Sequence, residues 1–266
     1  MLQGALHIHS TYSDGEFALA ELRELFLEAG CRFACVTDHA DAFAHEHARL
    51  DAYRRECESR SDERFRFIPG LEYTCVDRMH VLGYGVTTPI DSADPEEVIR
   101  RIRELGGLAV IAHPKDTAFP AIERFDPLPD GIEVWNSKYD GRYAPRPGTF
   151  ALLARTQTRR GDMRAFYGQD LHWRRQYRGL FVMVDADAPD RGAILAALAS
   201  GRFSGLKEGQ RLPSDGVIAP TVLAAFERAH QRSQRMRVWM RRVKGWIEHA
   251  GVGVPRPIKA QLRRIF

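Results

Sequence analysis

The chain has 266 residues, room for one large α/β domain or one domain with an appendage, and its 44% hydrophobic and 10% aromatic content is that of a globular protein. It holds no run of about 18 apolar residues, so no membrane-spanning helix is expected, and no charged-then-apolar leader precedes the first expected strand. The net charge of +4 hides a division: residues 221–266 carry eleven Lys or Arg against two Glu, whereas the first 220 carry 28 basic and 33 acidic residues.

Residues 4–9 read as a strand. Residues 18–29 have apolar side chains at helical spacing (Leu19, Leu22, Leu25, Phe26) and stop at Gly30. A second strand, 33–37, is followed by a charged helix over 44–60. Two strands, 65–72 and 79–84, are joined by a short connection. Asp94-Pro95-Glu96-Glu97 opens a helix that ends at Gly106-Gly107, with a cap residue, a proline in its first turn and early acidic charge. Strands follow at 108–112 and 131–135, a helix at 150–158, strands at 165–170 and 180–184, and a helix at 191–200. Pro220 to His249 reads as one long amphipathic helix with arginines on its polar face. Pro255 and Pro257 break it, and 258–266 reads as a short basic amphipathic piece.

Strands alternating with helices imply parallel strands and crossover helices. Seven or eight of them in about 200 residues predict a closed or nearly closed β/α barrel. An open doubly wound sheet is the alternative, though no glycine-rich phosphate loop follows the first strand. Cys31, Cys35, Cys57 and Cys75 lack zinc-knuckle spacing and read as reduced core thiols, which points to the cytoplasm.

In β/α barrels functional side chains gather where strands end. Here those ends present His7 and His9, then Asp38-His39, Glu72, His80, His113, Glu133 with Asn136, and Asp170 with His172. On a strand, residues i and i+2 share a side, so each of the pairs His7/His9 and Asp170/His172 can grip one cluster. His45 and His47 fall in a helical stretch, where i and i+2 diverge, and read as surface residues. Singly, His80 or His113 fits a satisfied barrel histidine, and Asp14 a turn former. Together, six histidines and three carboxylates in one mouth need a compensating ion.

The order His-x-His…Ser-Asp-Gly, Thr-Asp-His, Gly-x-Glu, an isolated His, Ala-His-Pro and Asp-x-His resembles the PHP (polymerase and histidinol phosphatase) family over roughly residues 5–205. The resemblance implies a distorted seven-stranded, TIM-like β/α barrel over 1–205, leaving 206–266 as a basic helical C-terminal extension. It also implies up to three divalent metals. The first would be held by His7, His9, Glu72 and Asp170. Glu72 would bridge to a second, with His80 and His113, and Asp14, His39 and His172 would hold a third. Imidazole-rich donors accept zinc, manganese or iron. Three such ions among three carboxylates leave a cationic pocket suited to phosphate. A water shared by two metals would act as the nucleophile, which implies a metal-dependent phosphoesterase.

Asp38 is expected to orient a ligand from behind. Lys115, Lys138 and Arg142 are candidates to meet the substrate phosphate, and Trp135 and Tyr139 to stack on a base or sugar. The expected substrate is a small phosphorylated molecule, a nucleotide or sugar phosphate. Some family members acting on nucleotides carry an inserted domain between the His80 and His113 equivalents; only 32 residues lie there in this chain, which suggests an open mouth. The alternatives are an exonuclease or other nuclease, its basic tail gripping RNA or DNA, and an amidohydrolase-type hydrolase. An anionic membrane surface is a further candidate for the tail.

Overall fold

β-branched and aromatic runs bounded by glycine and polar turns set the strands of the computed structural model, which describes residues 1–141 and 144–249. Ten strands form one sheet: β1 (Leu2–Ile8), β2 (Phe33–His39), β3 (Arg66–Thr74), β4 (His80–Tyr84), β5 (Leu108–Ala112), β6 (Gly131–Asn136), β7 (Arg164–Gly168), β8 (Phe181–Val184), β9 (Phe203–Lys207) and β10 (Gln210–Pro213). Their order is β10-β9-β8-β1-β2-β3-β4-β5-β6-β7. The helices are α1 (Leu19–Glu28), α2 (His47–Ser59), α3 (Pro95–Glu104), α4 (Phe119–Ile122), α5 (Pro147–Gln157), α6 (Arg191–Ala199) and α7 (Pro220–His249).

The count of seven strands falls short by three. β8 pairs antiparallel with the first half of β1, and β9 and β10 extend the sheet beyond it. The β9–β10 hairpin turns at Glu208-Gly209, both at positive φ, the conformation a two-residue hairpin turn needs. Nor are all strands parallel: β1-β2-β3 and β5-β6-β7 are, but β4 runs antiparallel to both its neighbours. Reversal puts the first residue of β4, His80, at the rim where its neighbours end, opposite Thr74 and Ala112.

The sheet nearly closes, so the open doubly wound alternative does not hold. The stretch after β7 returns to the second half of β1: Gln169 N–H donates to Leu6 (3.0 Å), and His9 N–H donates to Leu171 (3.0 Å). These bonds carry Asp170 and His172 to His7 and His9. Inside lies one continuous apolar core that includes Leu6, Ile8, Val36, Ile68, Val110 and Ile132. The four cysteines are buried and unpaired, and burial pushes the Cys31 thiol up to about 12.

Local chemistry explains most helix ends. Asp94 accepts from Glu96 N–H (3.1 Å) ahead of Pro95. α5 starts at Pro147, three residues before the expected Phe150, because proline suits the first helical turn. α2 starts at His47 rather than at residue 44, since His45 has φ 63° and interrupts the run. β9 runs through residue 205, where the barrel was expected to end. Among the described residues no helix is long and apolar enough to cross a membrane.

Candidate metal centre

Glu72, buried at the barrel rim near the end of β3, meets five imidazoles. Its Oε1 lies 2.7 Å from His80 Nδ1 and 3.2 Å from His113 Nε2. Its Oε2 lies 3.1 Å from His9 Nε2, 3.3 Å from His39 Nδ1 and 3.4 Å from His7 Nε2. Burial alone would raise the Glu72 carboxyl, but the surrounding charge and hydrogen bonds of His7, His113 and His80 outweigh it and hold the group well below the usual range.

Asp170 forms a second focus. Its Oδ1 lies 3.1 Å from His172 Nδ1 and 3.8 Å from both His7 Nε2 and His9 Nε2, and its Oδ2 lies 3.7 Å from His113 Nε2. Asp14, half exposed in the loop after β1, is the third. It approaches His172 Nε2 (3.2 Å), His9 Nδ1 (3.6 Å) and His39 Nε2 (3.7 Å). Among the described residues three sets of donor atoms are close enough to share an ion: His7, Glu72 and His113; His7, His9 and Asp170; and His9, Asp14, His39 and His172.

His7 and His9 reach the cluster differently from a regular strand. The register of β1 against β2 slips between Ala5 and Ile8, and His7 has φ 59°. His113 (φ 28°) and Asp170 (φ 52°) also have positive φ, a cost of order 1 kcal/mol or more each that is concentrated at the rim. Asp170 lies two residues past the end of β7, where the expected strand over 165–170 would have kept it extended.

The donor set suits a cation better than it suits itself. His7 Nε2 and both ring nitrogens of His9 are buried without a hydrogen-bond partner, despite their nearness to carboxylates. Burial pushes His9 down to about 3, so its ring is neutral and one of its two nitrogens offers a free lone pair. Imidazole and carboxylate donors fit zinc, manganese or iron.

Behind the cluster stands Glu133, buried on β6. Its Oε1 accepts from His7 Nδ1 (2.9 Å), and its Oε2 accepts from His113 N–H and from Asn136 Nδ2 (both 3.0 Å). Asn136 also donates to Asp170 Oδ2 (3.2 Å). Sequence reasoning noted Glu133 and Asn136 at a strand end but gave them no role; their signal is the Glu-x-x-Asn spacing on an otherwise apolar strand. Asp38 turns away from the imidazoles. It accepts from Ser10 N–H (2.8 Å), Ser10 Oγ (2.7 Å) and Ser13 Oγ (2.6 Å), so it fixes the loop that carries Asp14.

Lys138 reaches into the cluster, with Nζ 3.0 Å from Asp170 Oδ1 and 3.3 Å from His172 Nδ1. Lys115 is exposed in the loop after β5. Arg142 lies outside the described residues. Trp135 is buried and donates Nε1–H to Gly141, so it is a core residue. Tyr139, half exposed, leans on His113 with ring centres 4.6 Å apart, and Trp173 borders His172 at 5.6 Å under the Arg175 guanidinium. Trp173 was missed; its place directly after Asp-x-His was the available cue. His45 and His47 are exposed.

No family model matches the chain. Over 77 residues, 27% of the chain, it is 31% identical to the DNA polymerase/3′-5′ exonuclease PolX of Bacillus subtilis, and the match spans 14% of that protein. A structure from Bacteroides vulgatus, a two-domain protein described as containing a predicted PHP-like metal-dependent phosphoesterase, aligns with TM-score 0.58 and 18% identity. The alignment covers 79% of this chain and 66% of that one. An amidohydrolase from Chromobacterium violaceum aligns at TM-score 0.48 and 17% identity over 75% of this chain and 96% of that one, too loosely to carry an argument. The chain thus resembles PHP-like metal-dependent phosphoesterases in fold as well as in motif order.

Proposed function

We propose that the protein is a metal-dependent phosphoesterase that hydrolyses a phosphate ester of a small molecule, of the nucleotide or sugar phosphate class. The observation that carries this reading is the ring of five imidazoles on the buried Glu72, with three ring nitrogens of the fully buried His7 and His9 left unpartnered. Such a group of polar atoms is costly to bury unless a cation completes it.

In this reading His7, His9, Glu72 and Asp170 hold one divalent ion, Glu72 shares a second with His80 and His113, and Asp14, His39 and His172 hold a third. When bound, the ions supply Lewis acidity at the phosphoryl group and an activated water. The rest falls to the chain itself. Glu133 fixes the His7 tautomer by accepting from Nδ1, leaving Nε2 as the donor atom. Asp38 holds the Asp14 loop in reach through Ser10 and Ser13. Lys138 supplies an ammonium beside Asp170 that would meet a phosphate oxygen. Tyr139 and Trp173 give the mouth two aromatic borders for the organic part of the substrate.

A panel of phosphomonoesters, oligonucleotides and amides, incubated with manganese-loaded protein, tests the reading. Release of inorganic phosphate from small monoesters, abolished by His9→Ala, is the expected result. The local likeness to PolX favours one second reading, removal of nucleotides from a nucleic-acid end, and shortening of the oligonucleotides as the main activity would establish it. Cleavage of amides alone would remove the phosphoesterase reading.

A further inference from the structure

α7 is packed over its first turns and bare over the rest. Val222, Leu223, Phe226 and Ala229 dock on the core, with the Phe226 ring 6.1 Å from that of Trp135. Beyond His230 none of the described side chains of the helix is buried. That outer half nevertheless carries large apolar groups: Met236 is 46% exposed, Trp239 57% and Trp246 77%. With 3.6 residues per turn, Met236, Trp239, Met240, Val243 and Trp246 fall in a single stripe about 120° wide. Arg235 and Arg242 border it. From Arg228 to Ile247 the sequence has seven Lys or Arg and no Asp or Glu.

We infer that the outer half of α7 is an in-plane anchor for an anionic lipid bilayer. Two properties coincide on one helix, and the partner must answer both. A second copy of the helix would cover the stripe but bring seven more cations against seven, with no acidic residue in the segment to offset them. A nucleic acid would answer the arginines and leave the continuous stripe of Met, Trp and Val in water. An anionic bilayer answers both: headgroups meet Arg235 and Arg242 on the border of the stripe, while Trp239, Trp246 and Met236 enter the boundary with the acyl chains. The helix is not apolar enough to cross, which suits a segment lying along the surface. Residues 231–249 span about 28 Å at 1.5 Å per residue, about five turns, long enough to lie flat. The inference is independent of the metal chemistry.

Co-sedimentation of the full chain with vesicles tests it, comparing phosphatidylcholine mixed with phosphatidylglycerol against phosphatidylcholine alone. Binding to the anionic vesicles should exceed binding to the neutral ones by about ten-fold or more and should weaken in high salt. Trp239→Ser with Trp246→Ser should abolish it, as should Arg235→Glu with Arg242→Glu. Circular dichroism and thermal melting of both variants should match the parent, because these side chains are exposed and lie outside the core. No preference for anionic vesicles would overturn the inference, and so would binding that both variants retain. Tighter, tryptophan-dependent binding to a single-stranded oligonucleotide, or a solution dimer lost on Trp239→Ser, would overturn it in favour of those partners.

Discussion

A Cβ atom on Gly168 would overlap Glu133 Oε1, so the last residue of β7 must be glycine for the β6 carboxylate to reach His7. This pair, on neighbouring strands, sets the orientation of the first imidazole of the cluster. Gly168→Ala should therefore push Glu133 off His7 and weaken metal binding by about 10- to 100-fold, with Glu133→Ala giving a loss of similar size. Calorimetric titration of manganese into the metal-free proteins measures both. Unchanged affinity in either variant would remove Glu133 from any positioning role.

Asp38 is tied to the loop and not to the ligands it adjoins in sequence. Asp38→Ala strands the buried Ser10 N–H and Ser10 hydroxyl, a loss of roughly 2–6 kcal/mol at about 1–3 kcal/mol per unsatisfied buried group, and releases the partly buried Ser13 hydroxyl. If Asp14 holds an ion as proposed, the variant should also lower the occupancy of that ion more than that of the others. Chemical denaturation and metal analysis of the purified variant report the two effects separately.

Lys138 touches Asp170 and His172 but has the wrong charge to hold a cation. Lys138→Met should leave metal content unchanged or higher and lower kcat/KM about ten-fold, the usual order for losing one charged contact to a phosphate. A variant that loses metal instead would make Lys138 a structural partner of Asp170.

The metal-free protein should be most stable near pH 6.5. Burial, only partly offset by Glu72, pushes His9 down to about 3. Between that value and the ordinary imidazole value of about 6.5 the unfolded chain binds a proton that the native state refuses, so stability rises with pH. For His172 burial works downwards, but its bonds to Asp14 and Asp170 prevail and push it up to about 9. From pH 6.5 to 9 the native state keeps a proton that the unfolded chain releases, so stability falls. Thermal denaturation of chelator-treated protein across pH 4–9 checks both limbs. Adding metal should flatten the alkaline one, because the ion displaces the His172 proton. A melting temperature that climbs steadily to pH 9 without metal would contradict this.

Much of the cluster was legible because its donors lie at strand ends, where the chain changes from apolar to polar within one or two residues. His7, His9, His39, Glu72, His113, Asp170 and His172 all carry that mark. What escaped depended on three-dimensional pairing. The reversal of β4, which turns His80 to the shared rim, leaves no trace in a short apolar strand. The bulge at His7 and the positive φ of Asp170 arise from closing the barrel through residues 169–171, a contact between segments 160 residues apart. β9 and β10 were missed because they are short and partly exposed, although Glu208-Gly209 offered turn chemistry. The same limit explains Glu133: its role depends on His7 and Gly168, each far from it in sequence.

Donors scattered through the chain converge on Glu72, where we propose that they hold several divalent ions. Elemental analysis of manganese- or zinc-loaded protein after exhaustive dialysis, paired with anomalous diffraction, tests it most directly. The account predicts close to three ions per chain, seated among the nine side chains, and at most one retained in Glu72→Ala. Protein that keeps no metal, or a Glu72→Ala variant that keeps as much as the parent, would contradict it.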